Sequence, residues 1–334
     1  MVRVGVIGYG YWGPNVARNF QALKETQVVM VCDADPRRLR LAAEALPQAR
    51  MVSDPGEVFR AGDIDVVAVI TPVFTHYDLA RQALESGRHV FLEKPFTSTS
   101  DQARHLIDLA QARGLKIMVD HTFLYTPAVQ RIKEMVSGGE LGRIYYYDST
   151  RVNLGLFQKD VNVIWDLAPH DFSILDHVIA ERPQALVAHG MDFFGQDLEK
   201  LAYVTVYLSD SVIAHFNFNW LSPVKVRTTL IGGDKKMLVW NDLEADEKIR
   251  VYDKGVRVDT RDDQYSLLVE YRAGDMWAPR LEHREALRAG AAHFVRAILH
   301  GEPLISDGLA GLRVVQMLEA TNASLRAGGK TITL

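Results

Sequence analysis

Val2-Arg3-Val4-Gly5-Val6-Ile7-Gly8-Tyr9-Gly10-Tyr11-Trp12-Gly13 is the stretch on which the reading of this chain turns. An apolar, β-branched run ends in a Gly-x-Gly-x-x-Gly spacing and gives way to a helical pattern, the context that a dinucleotide-binding fingerprint requires. Gly8 permits the tight turn, Gly10 lets the backbone approach a pyrophosphate, and Gly13 allows the helix to pack closely on the strand. The helix-start N–H groups lack intrahelical partners and favour an anion, with Tyr11 and Trp12 beside them as cofactor neighbours. The next strand, Val28 to Cys32, ends in Asp33, 20 residues after Gly13. A carboxylate there accepts hydrogen bonds from ribose hydroxyls and repels a 2′-phosphate, so NAD is expected over NADP. Arg37 and Arg38 follow closely; they can neutralise a phosphate, and they read equally well as solvated residues at a helix start.

Outward from this turn, β-branched runs alternate with helical stretches up to about residue 120. That alternation predicts βαβ units and a parallel sheet, with strands at Val2 to Ile7, Val28 to Cys32, Val66 to Thr71, His89 to Leu92 and Lys116 to Val119. The unbroken apolar run Val66-Val67-Ala68-Val69-Ile70 predicts a strand covered on both faces. Beyond residue 143 the pattern turns strand-rich: Ile144 to Val152, Gln184 to His189, Leu201 to Leu208, Val212 to Trp220, Lys225 to Ile231 and Lys236 to Trp240. One helix, Val163 to Ile179, interrupts this run, and helices return at Leu281 to Leu299 and Leu309 to Arg326. The expected architecture is an α/β Rossmann domain over residues 1–120. An α+β domain over 121–334 follows, dominated by a large, mostly antiparallel open sheet, with the last helices packing back on the first domain. An open apolar face is expected to pair with another copy, giving a homodimer or homotetramer.

The 334 residues carry 38 Lys plus Arg against 42 Asp plus Glu, so no basic field recruits nucleic acid or an anionic membrane surface. Cys32 is the one cysteine, which excludes an intrachain disulfide and any cysteine-rich metal site. No apolar run approaches the roughly 20 residues that span a bilayer. The amino terminus reads as a strand, not a signal peptide, and a cytoplasmic protein is expected.

Chemistry-bearing residues gather at predicted strand ends. Thr71 and Pro72 close the central strand, where open α/β sheets hold ligands, and are expected to border the cofactor. The Thr75 hydroxyl reads as a helix N-cap. His76 reads equally as a packing residue and as a cofactor neighbour. Glu93-Lys94-Pro95 closes the strand His89 to Leu92. There an ammonium can bind a substrate oxygen and stabilise alkoxide character during hydride transfer, with Glu93 tempering its charge. The Lys94–Pro95 bond is a candidate for the cis form. In Trp165-Asp166-Leu167-Ala168-Pro169-His170-Asp171, Asp166 and His170 are four apart and share a helix face, although Pro169 suggests a kink or a helix start near Ala168. Imidazole suits proton transfer near neutrality, so His170 is the candidate general acid/base and Asp166 its orienting or substrate-binding partner. A metal reading is set aside because no third ligand lies nearby in sequence.

Together these motifs, with Gly139-Glu140-Leu141-Gly142-Arg143-Ile144 between them, resemble the glucose-fructose oxidoreductase / inositol dehydrogenase / MocA (Gfo/Idh/MocA) family over essentially the whole chain. Glu-Lys-Pro after a Rossmann fingerprint, with Asp-x-x-x-His about 70 residues later, carries the resemblance. It implies NAD(P)-linked redox chemistry on a sugar or cyclitol hydroxyl. Lys94 and His170 would line the catalytic site and Asp166 would contact substrate, and dimers or tetramers would join through the open sheet. Gly-Tyr-Gly-Tyr-Trp-Gly-Pro-Asn and Trp-Asp-Leu-Ala-Pro-His-Asp are similar to members acting on nucleotide-linked sugars of the UDP-N-acetylglucosamine type, oxidised at C3. Val119-Asp120-His121 departs from the Asn-x-Arg pattern common there, so no role is carried onto it. Arg151, Asn153 and Lys159 are the further substrate-contact candidates. The alternatives are an inositol or free-polyol dehydrogenase, a ketosugar reductase, and a non-catalytic dinucleotide-sensing regulator.

Overall fold

The computed structural model describes residues 1–334 except 156, 157, 159, 210 and 260–267, and leaves aside the side chains of 256–259 and 268–273. The chain divides into two compact units, Met1–Thr126 with Arg284–Gln316, and Pro127–His283 with Met317–Leu334.

In the first unit, β1 (Val2–Ile7), α1 (Gly13–Gln21), β2 (Thr26–Cys32), α2 (Pro36–Ala45), β3 (Arg50–Val52), α3 (Pro55–Arg60), β4 (Val66–Val69), α4 (Val73–Glu85), β5 (His89–Leu92), α5 (Ser100–Ala112) and β6 (Ile117–Val119) alternate. The six strands are parallel in the order β3-β2-β1-β4-β5-β6. The order reverses between β1 and β4, which opens a crevice at their carboxyl ends. All four β4 residues are buried, as a strand covered on both faces requires. Helix starts follow local chemistry: Asp35 caps α2 by accepting the Arg37 N–H, and Thr99 caps α5 through the Gln102 N–H. The helix α4 begins at Val73 with Pro72 before it, so Thr75 does not cap it; its hydroxyl donates to the Pro72 carbonyl at 2.8 Å. The strand β3, absent from the sequence expectation, is only three residues long and half-exposed, too short to show a period.

The second unit contains α6 (Pro127–Ser137), β7 (Ile144–Leu154), α7 (Val163–Val178), β8 (Ala185–Met191), β9 (Leu201–Ser209), β10 (Val212–Asn219), β11 (Leu221–Gly233), β12 (Met237–Asn241), β13 (Ile249–Asp259) and β14 (Leu268–Trp277). In chain order there follow α8 (Ala286–His300), which belongs to the first unit, α9 (Gly308–Arg326), which belongs to the second from Met317 onward, and β15 (Ile332–Thr333) of the second unit. Nine strands form one sheet, β14-β13-β12-β11-β7-β10-β9-β8-β15, antiparallel except where β7 meets β10. Strands beyond Asp242 exceed the sequence expectation. The core lies between one face of this sheet and α7. Phe172 of α7 meets Phe216 edge-to-face at 5.2 Å and Phe218 at 6.0 Å. Burying each such ring contributes roughly 1.5–3 kcal/mol.

Candidate active site

In the first unit the carboxyl ends of β1, β2, β4, β5 and β6 carry the candidate residues. Gly8 adopts φ +97°, and a Cβ there would lie 2.2 Å from the Ile70 carbonyl oxygen, so no other residue fits where β1 passes β4. A Cβ on Gly13 would lie 2.3 Å from the Gly8 carbonyl oxygen, which is how tightly the turn closes on α1. At Gly10 only the far end of the Arg38 side chain stands within 4 Å of that position. Tyr11 projects into solvent, and the Trp12 indole N–H donates to Asp120 at 3.0 Å.

Asp33, buried at the end of β2, accepts the Tyr9 N–H at 2.7 Å and the Asp35 N–H at 2.8 Å. Its carboxylate is thereby aimed, with lone pairs left for further donors. Arg37 pairs with Asp35 at 2.9 Å, whereas Arg38 turns to Asp33 at 3.6 Å. The glycine turn, the helix start and the anchored Asp33 fit a dinucleotide: amides for its pyrophosphate and a carboxylate for its ribose.

His76 is 1% exposed, with Nδ1 2.8 Å from the Pro95 carbonyl oxygen and Nε2 2.7 Å from that of Thr71. A neutral imidazole donates to only one of them. Burial lowers its proton affinity, partly offset by those two carbonyls. The ring therefore ties the Thr71-Pro72 turn to the Lys94-Pro95 turn inside the unit. The Thr71 and Thr75 hydroxyls are 2.6 Å apart. The Lys94–Pro95 bond is cis. Burial, then the neighbouring Asp120, raises Glu93 well above the usual carboxylate range. Asp120 is raised by burial, against the donors Trp12 and Thr122.

In the second unit, α7 runs unbroken from Val163 to Val178 with Pro169 inside it. The helix starts at Val163 as expected, and the kink or later start near Ala168 that Pro169 suggested does not occur: Asn162 caps the helix, accepting the Trp165 N–H at 3.2 Å. Pro169 has no N–H to offer the carbonyl four residues before it. Asp166 and His170 lie one turn apart on the same half-buried face. The Trp220 indole N–H donates to Asp166 at 3.1 Å, and the Trp220 carbonyl accepts the Gly155 N–H at 3.2 Å. The end of β7 therefore reaches the start of α7 through one buried tryptophan, by its backbone carbonyl on one side and its indole on the other. Asn153 stands half-exposed at that end of β7. Arg151 is buried, its Nε bound to Asp171 of α7, and Asp171 also accepts the Ser149 hydroxyl at 2.7 Å. Its charge is thus spent inside the unit, pinning helix to sheet. Lys159 lies outside the described residues.

Sequence reasoning missed Asp120 and Trp220. Asp120 directly follows a predicted strand and was visible as an edge carboxylate, but its surroundings departed from the expected pattern. A tryptophan ending a strand carries no signal beyond core packing. Among the described residues no three His, Cys, Asp or Glu side chains cluster to hold a metal, and no helix is long and apolar enough to cross a membrane.

Two family models match: the oxidoreductase family with NAD-binding Rossmann fold over residues 2–121, and the Gfo/Idh/MocA C-terminal domain over residues 129–239. The chain belongs to the Gfo/Idh/MocA oxidoreductase family. It is 27% identical over 327 residues to a UDP-N-acetylglucosamine 3-dehydrogenase of Acidithiobacillus ferrooxidans, covering 94% of each chain. It is 23% identical over 335 residues to a myo-inositol 2-dehydrogenase of Thermotoga maritima, covering 97% of this chain and 96% of that one. A solved structure of the Acidithiobacillus dehydrogenase matches with a TM-score of 0.82 at 25% identity, over 98% of each chain. As a Gfo/Idh/MocA member the protein is an NAD-binding oxidoreductase acting on CH–OH groups, and its resemblance, fold class and cofactor read from sequence all stand.

Proposed function

We propose that the protein oxidises a secondary hydroxyl of a nucleotide-linked amino sugar, at C3 of a UDP-N-acetylglucosamine-type substrate. The observation that carries this reading is likeness along nearly the whole of both chains to a dehydrogenase of that substrate, together with an Asp166-His170 pair on one helix face. Bound NAD+ supplies the hydride acceptor at C4 of its nicotinamide. Lys94 donates a hydrogen bond to the substrate oxygen and stabilises its alkoxide character. His170 takes the hydroxyl proton. Asp166, aimed by the Trp220 indole, accepts from a sugar hydroxyl or orients the imidazole. Asn153 is assigned to substrate contact, and Arg151 acts through Asp171. Free-polyol oxidation is the second reading, favoured by the near full-length likeness to the inositol dehydrogenase. The enzyme works in the cytoplasm, where its buried lone Cys32 stays reduced.

The test is turnover on UDP-N-acetylglucosamine against myo-inositol, read by NADH absorbance. His170→Asn and Lys94→Ala should each lower kcat by roughly 10²–10⁴. His170→Asn should keep NAD+ affinity by calorimetry. Turnover retained by both variants overturns the mechanism, and preference for the free cyclitol overturns the substrate.

A further inference from the structure

We propose that Glu93 and Asp120 are positioning residues, a carboxylic acid and a carboxylate sharing one proton, which tie the glycine-rich turn to the turn carrying Lys94. The argument starts in the sheet. Leu92 of β5 and Val119 of β6 are register partners in a parallel pair, so the residues after them emerge side by side at its carboxyl edge. Backbone bonds hold both there: the Glu93 N–H donates to the Val69 carbonyl at 3.0 Å and the Asp120 N–H to that of Leu92 at 2.7 Å.

Asp120 is 2% exposed and accepts two side-chain donors, the Trp12 indole N–H at 3.0 Å on one oxygen and the Thr122 hydroxyl at 2.7 Å on the other. Its third partner is the Glu93 side chain. Two carboxyl groups hydrogen-bond to each other only when one of them carries a proton. Asp120 already has the donor set of a carboxylate, so the proton sits on Glu93. Glu93 Oε2 is buried with no hydrogen-bond partner among the described residues, a position far cheaper for the carbonyl oxygen of a neutral acid than for a full carboxylate. The charged and titratable neighbours agree. Lys94 acts on both groups, His76 is disfavoured as a cation, and the Tyr125 hydroxyl is pushed up by burial and stays neutral. One negative charge on the pair balances one ammonium.

This gives Trp12 a purpose. Its indole is the strut by which β6 holds the turn that receives the dinucleotide, and the shared proton couples that strut to Lys94. The proposal rests on NAD binding, not on the identity of the sugar, so a different substrate leaves it intact.

Two readouts test it. Infrared difference spectra of the enzyme without cofactor, at neutral pH, should show the carbonyl stretch of a protonated carboxylic acid that Glu93→Gln removes. Calorimetry with NAD+ should show Asp120→Ala weakening binding by about tenfold or more, the scale of hydrogen bonds to a charged acceptor. Asp120→Asn should recover part of that loss, because its amide donates to an ionised Glu93 and keeps the charge of the pair, while the acid band disappears. If Asp120→Ala fails to fold, Trp12→Phe removes the same strut from the other side and should weaken NAD+ binding likewise. Absence of the acid band in the unaltered enzyme, or NAD+ affinity unchanged in the strut variants, overturns the proposal.

Discussion

His177 in α7 shows how strongly burial governs an imidazole. Burial, then the Lys133 ammonium, pushes it down to about 4, against a weaker pull from Asp176. The unfolded chain therefore binds a proton that the folded chain refuses, and stability contributed by the neutral ring is lost as pH falls from about 6.5 towards about 4. His177→Gln should flatten the acid limb of a urea-midpoint profile across that window and leave the neutral region nearly level. An unchanged acid limb would place the titrating group elsewhere. The same scale explains which site residues were legible. Gly8, Gly10 and Gly13 were legible from their spacing after a strand and Asp33 from its place at the end of the next one, although Gly8 meets Ile70 and Asp33 meets Tyr9 only in the folded sheet. The engagement of Arg151 with Asp171, 20 residues away, depends on a helix crossing a strand, which spacing cannot reveal.

The helix α7 is the element on which the chemistry proposed for the second unit depends. It presents Asp166 and His170 only if its first turn is held, and Asn162 holds it three ways: it accepts the Trp165 N–H, and its amide donates to Glu199 at 2.7 Å and Asn322 at 3.1 Å. Asn162→Ala should cost about 1–2 kcal/mol in urea unfolding. It should also lower kcat more than it raises KM, because the loosened turn carries Asp166. Asn162→Ser keeps a capping oxygen and should recover much of the stability. Equal losses in both variants would show that the cap oxygen is not what matters. The apolar period marked this helix at its start, Val163, and to within a residue at its carboxyl end, while Pro169 only suggested an interruption that does not occur. The helix runs through the proline because ten buried side chains, among them Phe172, Ile174 and Leu175, hold it on the sheet.

At the scale of the whole molecule, the sheet of the second unit exposes large apolar side chains on one of its faces. Tyr203, Tyr207, Ile213 and Leu230 are 42, 41, 42 and 37% exposed, and register places them on one side: Ile213 stands opposite both Tyr207 and Tyr146, and Leu230 opposite Asp148. We expect this face to join copies of the chain. Sedimentation should show a dimer or tetramer that Ile213→Glu with Leu230→Glu reduces to a smaller species, whereas an unaltered protein sedimenting as a monomer would end that expectation. What lay in the order of residues alone was the parallel Rossmann sheet, its glycine turn, the carboxylate at the end of its second strand, the Lys94 and Asp166-His170 motifs and the family. Each rests on periodicity or short-range geometry, which a linear pattern records. Strand order in the nine-stranded sheet, the parallel β7–β10 pairing, the Trp220–Asp166 bond and the Glu93–Asp120 pair were decided only in three dimensions. Their partners lie tens of residues apart, and burial alone determines which polar groups must find one another.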